Sequence, residues 1–118
     1  MLYTIKGLKK EVRGVTIRVR VVSKDDIRSV HTKNGKKHRV VNFWVGDRTG
    51  SIILTLWDEQ ADLIEVNDVL DIQNGYVNRF RGRLQLNVGQ YGHINKVQEP
   101  LFPLREELME RTQRLKRL

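Results

Sequence analysis

Most of this chain alternates apolar and polar residues in twos, and it changes rhythm once. Between Asp58 and Val66 the period becomes helical, with Ala61, Leu63 and Ile64 on one side. Asp58 is placed to cap that helix, and the acids of its first turn suit the positive end of the helix dipole. Before it, Val15-Thr-Ile-Arg-Val-Arg-Val21 reads as a half-buried strand, with Val15, Ile17, Val19 and Val21 inward. Val40 to Val45 and Ser51 to Trp57 read as two more strands, joined by the turn DRTG at Asp47 to Gly50. After the helix, Val69 to Asn78 and Arg83 to Val88 are a fourth and a fifth strand, with Phe80-Arg81-Gly82 at the hairpin tip. Gly75 inside the fourth strand predicts a bulge.

Three strands, a short helix and two strands form the pattern of an all-β, five-stranded Greek-key barrel of the OB-fold type. An SH3-like barrel would not carry a helix at that point. Ser23 to Lys37 is a long polar connection, and Asn34-Gly35 within it predicts a protruding hairpin with a type I′ turn. Ile94 to Val97 is a candidate extra strand. The barrel domain is assigned residues 1–98. Pro100 and Pro103 bracket its end, and residues 99–118 form a C-terminal amphipathic helical tail with Leu104, Leu108, Arg111, Leu115 and Leu118 along one stripe.

A chain of 118 residues can bury one core. No apolar run approaches a membrane span, and the N-terminus lacks the apolar stretch of a signal peptide, so a cytoplasmic protein is expected and no membrane partner. The net charge is +8, from 22 Lys and Arg against 14 Asp and Glu, which points to a polyanion such as nucleic acid. The charge is blocked along the chain. Ile27–Gly46 and Ile72–Gln98 contain no acid, whereas Thr49–Asn78 contains no Lys or Arg. Should the two basic blocks meet in space, they make one positive surface.

Catalytic readings find little support. The chain has no cysteine, His31, His38 and His93 are isolated, and neither a phosphate-binding loop nor a nucleophile elbow is present. No enzyme activity, metal or cofactor is expected. A binding reading is stronger, because a sequence-tolerant single-strand binder needs flat rings for bases and cations for phosphates. With Ile52, Leu54 and Leu56 inward, Trp57 lies on the outer face at the end of the third strand; packing under the following helix is the alternative. Tyr76 follows the Gly75 bulge and could equally be an ordinary strand tyrosine. Phe80 sits at the hairpin tip between Arg79 and Arg81, unless the tip folds back. Trp44 also points outward and either extends the stacking platform or covers an edge. Lys33, Lys36 and Lys37 in the long connection, with Arg79, Arg81 and Arg83, are the candidate phosphate contacts, and the arginines can also stack on bases.

The segment VGDRTGSIILTLWDEQADLIEVNDVLDIQNGYVNRFRGRLQLNVG resembles the simple, single-OB-fold single-stranded DNA-binding proteins of archaea. Their eukaryotic relatives include the B subunit of the sensor-of-single-stranded-DNA complex. The resemblance runs from about Ile5 to Val97, and its most specific parts are DRTGS leading into LTLW, GY, F-R-G, LQLNVG and the TKNGK of the first loop. It implies base stacking at Trp57, Tyr76 and Phe80, and backbone contacts from Lys33, Arg79 and Arg81. Asn87 departs from it, since some eukaryotic relatives carry a further aromatic there. The tail departs too, being a basic amphipathic helix where family tails are flexible and polar or acidic. The expected function is protection of single-stranded DNA in replication, repair and recombination, at the nucleoid. An RNA-binding OB module is one alternative. The other is an assembly subunit that associates with itself or with protein partners through Leu104–Leu118.

Overall fold

The computed structural model describes residues 2–116. Its strands are β1 (Leu2–Tyr3), β2 (Val12–His31), β3 (Lys37–Asp47), β4 (Gly50–Trp57), β5 (Val69–Phe80), β6 (Arg83–Asn87) and β7 (His93–Val97). Helix α1 (Glu59–Asp62) follows β4, and α2 (Arg105–Lys116) closes the chain. The five strands expected from alternation are β2 to β6, and the candidate extra strand is β7.

The strands β2–β3–β4–β6–β5 form a ring that returns to β2, because β5 also pairs with β2. Every pairing in the ring is antiparallel except β4–β6, which is parallel and spans only Ile53↔Gln85, Leu54↔Leu86 and Thr55↔Asn87. This is the OB-fold order, an only partly closed barrel with its thinnest seam at that parallel leg. The inward residues are those that alternation selects: Val15, Ile17, Val19, Val21, Phe43, Leu54, Leu56, Leu70, Ile72 and Leu86 share one core. Leu84 packs against its rim.

Gly75 sits where the β2–β5 register breaks, with Gly14 and Asn74 at positive φ on either side. A Cβ at Gly75 would lie 3.0 Å from the Asn87 carbonyl oxygen, so close approach of β6 requires glycine there. The bulge turns Tyr76 to the outer face opposite Asn87.

Several local expectations are corrected. The connection after Val21 is the protruding hairpin expected, but its polar arms are regular strand out to His31, so β2 and β3 extend together as a long arm. Gly35 alone takes positive φ at its tip, and Gly35 N–H donates to the Thr32 carbonyl at 2.9 Å. That is a loop with glycine in the left-handed position, not a type I′ turn. The true type I′ signature is at the other tip, where Arg81 (φ 53°) and Gly82 (φ 78°) join Phe80 to Arg83. Helix α1 is one turn, not two, and leaves Leu63 69% exposed while Ala61 and Ile64 are buried. Asp58 makes no side-chain cap bond, because its carboxylate is taken by β3.

Helix α2 lies on the outside of the barrel, not apart from it. Leu108 packs with Val22 and Trp44, joined by Ile53, Met109 and Leu115. Three arginines fix the geometry: Arg105 Nε donates to the Val22 carbonyl (2.8 Å), Arg20 Nε to the Pro103 carbonyl (2.7 Å), and Arg111 Nη1 to the Asp47 and Arg48 carbonyls. Leu108 and Leu115 of the apolar stripe are used within the chain, whereas Leu104 is left 54% exposed. Leu118 lies outside the described residues.

Candidate nucleic-acid interface

The ladder of pairings places one transverse row of outward residues across the barrel wall. Asn42 on β3, Thr55 on β4, Asn87 on β6, Tyr76 on β5 and Arg13 on β2 are successive cross-strand partners. Trp57 is one outward rung beyond Thr55, and Phe80 is two outward rungs beyond Tyr76, about 13 Å along the strand. The three predicted rings therefore all point outward from the β4–β6–β5 wall, with Trp57 and Phe80 toward opposite ends of the strands. Trp57 is 38% exposed, Phe80 is 37% exposed and Tyr76 is half-buried.

The floor between the rings is polar and satisfied. Thr55 Oγ1 donates to Asn42 Oδ1 at 2.9 Å, and Asn87 Nδ2 donates to Asn78 Oδ1 at 2.9 Å. Asn87, where relatives can carry an aromatic, is thus a buried amide that orients its neighbour. Apolar side chains on this wall would have called for a covering element, whereas amides and a hydroxyl leave it open to water or to bases.

Cations lie beside two of the three rings. The Arg28 and Arg81 guanidinium carbons lie 5.0 and 5.1 Å from the Phe80 centroid, and Arg13 lies 5.8 Å from that of Tyr76. Arg28 reaches Phe80 from the long arm, so the two acid-free blocks of sequence do meet in space. Lys33, Lys36, Lys37, Arg79, Arg81 and Arg83 are all exposed, and among the described residues none makes an ion pair. Arg18, by contrast, is held by Asp71 and Glu99, and Arg39, next to His38, pairs with Asp62. Unpaired arginines beside open rings have the geometry for phosphates and bases together.

Trp44 is the exception among the predicted residues. Alternation places it outward, as expected, but α2 covers it and leaves it 5% exposed. Arg83 lies over its ring at 5.8 Å, drawn toward the helix side of the face. Two residues beside the rings, Arg13 and Arg28, are not singled out by the sequence. Arg28 belongs to the acid-free block Ile27–Gly46, and that membership is the available signal. Arg13 lies outside both blocks and is brought in only by the β2–β5 pairing.

Among the described residues no group of acids and histidines is arranged to hold a metal. A family model for single-stranded DNA-binding proteins of Ssb-like type, with an OB fold, matches residues 8–96. The chain belongs to that family. It is 34% identical to the single-stranded DNA-binding protein Ssb of Saccharolobus solfataricus over 108 residues, 92% of this chain and 72% of that one. Its fold matches the second OB-fold domain of replication protein A from Methanococcus maripaludis with a TM-score of 0.68, at 29% identity, covering 86% of this chain and 99% of that domain. A replication protein A heterotrimer solved bound to single-stranded DNA is also similar, at TM-score 0.62 and 25% identity, over 87% of this chain and 26% of that one. The family match stops before α2, so the helix that covers Trp44 lies outside the matched segment.

Proposed function

We propose that this protein binds single-stranded DNA without strong sequence preference, by stacking bases on Trp57, Tyr76 and Phe80 and neutralising phosphates with the exposed cations of the arm and the β5–β6 hairpin. The observation that carries this reading is the coincidence, on the outer wall of an Ssb-like barrel, of three rings and a set of cations that have no ion-pair partner among the described residues. Every base has a π-face and every nucleotide a phosphate, so such a wall binds sequence-tolerantly. The activity is binding and not catalysis. Coating of exposed strands during replication, repair and recombination, at the nucleoid, is the role this chemistry serves.

The test is a titration of intrinsic tryptophan fluorescence with poly-dT and poly-U. Strong quenching by poly-dT, with poly-U weaker, supports the reading, and equal or stronger binding of poly-U assigns the wall to RNA. With roughly three to five phosphates neutralised, log K falls against log salt with a slope of about −2 to −3.5.

A further inference from the structure

The backbone leaves β4 at Asp58 in a conformation that a side chain rarely adopts, φ 50° and ψ −123°. It does so directly after Trp57, and β3 holds it there. Asp58 N–H donates to the Arg39 carbonyl (2.8 Å), Arg39 N–H donates to Asp58 Oδ1 (2.9 Å), and Arg39 Nη2 donates to the Asp58 carbonyl (3.1 Å). Arg39 is fixed in turn by an ion pair with Asp62. The second carboxylate oxygen, Oδ2, meets His38 Nδ1 at 2.7 Å. The Arg39 backbone N–H and then His38 hold the Asp58 carboxyl below the usual carboxylate range, so it is ionised and only accepts. Nδ1 of His38 therefore donates to it, and the ring plane is set by Asp58. That ring meets the Trp57 indole at 61°, with centroids 5.5 Å apart.

We infer that His38, clamped by Asp58, is a positioning residue that presets the Trp57 indole for stacking. This rests on the stacking reading above. An exposed ring at a strand end has rotamer freedom that binding must remove, and a ring already held loses less. The edge-to-face contact is the kind of interaction that supplies this hold. His38 acts through Trp57 and does not itself touch the strand.

The experiment is a double-mutant cycle between His38→Ala and Trp57→Ala, measured as affinity for a dT oligonucleotide, together with NMR relaxation of the indole N–H groups. His38→Ala is expected to weaken binding roughly three- to tenfold, the scale of one aromatic pair. In the Trp57→Ala background it is expected to cost nothing further. In the free His38→Ala protein the Trp57 indole becomes more mobile while the buried Trp44 indole, the internal control, does not change. An unchanged affinity for His38→Ala overturns the inference. So does a loss that persists in full when Trp57 is absent, because His38 would then contact the strand directly. If Trp57→Ala alone binds as well as the parent, the stacking reading itself has failed and the inference falls with it.

Discussion

Trp44 and Trp57 stand on adjacent strands, both directed away from the same barrel core, and they have opposite fates. Trp44 lies under Leu108 and its neighbours on α2, with Arg83 over its ring. Trp57 is open, edged by His38 on one side. Alternation along a strand decides which side of a sheet a residue takes, and it assigns both correctly. It says nothing about what the rest of the chain lays over that side. The apolar partners Val22 and Ile53 surround Trp44 and invite a helix, whereas amides and Thr55 lie along the face that carries Trp57.

The contrast can be broken by mutation. Trp44→Ala opens a cavity beneath α2 and is expected to destabilise the fold by about 3–5 kcal/mol, read as a lower denaturant midpoint. Binding by the fraction still folded should be nearly unchanged, and a specific loss of affinity would return Trp44 to the interface. Trp57→Ala and Phe80→Ala are expected to do the reverse, each costing about 1–3 kcal/mol of single-strand affinity with little change in stability. Replacing Arg79 or Arg81 with alanine should reduce the magnitude of the salt slope by about 0.7 for each phosphate that is no longer neutralised. Arg83→Ala should change it less, since that side chain is drawn to Trp44.

The smallest effect concerns the paired arginine on the far side. Asp71 is held below the usual carboxylate range chiefly by its bond to Arg18. A carboxyl whose value is lowered by folding contributes stability above its unfolded value, and that contribution is lost as the pH falls through the lowered folded value. Asp71→Asn should therefore destabilise at neutral pH by at most about 1 kcal/mol, as expected for a half-exposed pair. The difference from the parent should vanish as the pH drops well below about 4, the region of the unfolded value of an aspartate. Binding should not change.

The barrel is legible in the sequence because its signals are local. The alternation of Val15–Val21 and of Ile52–Trp57, Gly75 in β5 and the change of period at Asp58 each report on a few neighbours in sequence. What escapes such a reading depends on approaches across the chain. Ser23–His31 is mostly polar, its apolar Ile27 and Val30 follow no period of two, and it becomes strand only through pairing with β3. Leu63 is exposed because α1 ends after Asp62, and Asp58 binds Arg39 and His38 in place of capping. The two residues of β1 are held by parallel pairing with Thr16 and Ile17, which no local pattern announces. In the site, the positions of the three rings follow from strand register, but the placement of Arg28, Arg13 and His38 beside them arises from the meeting of distant strands.

Two single-tryptophan variants test the division between covered and open faces most directly. Trp44→Phe leaves Trp57 as the only indole, and Trp57→Phe leaves Trp44. Titrated with poly-dT, the first is predicted to lose most of its fluorescence and the second to change little. Quenching of Trp44 with an unresponsive Trp57 would contradict the account and move the strand to the face that α2 now covers.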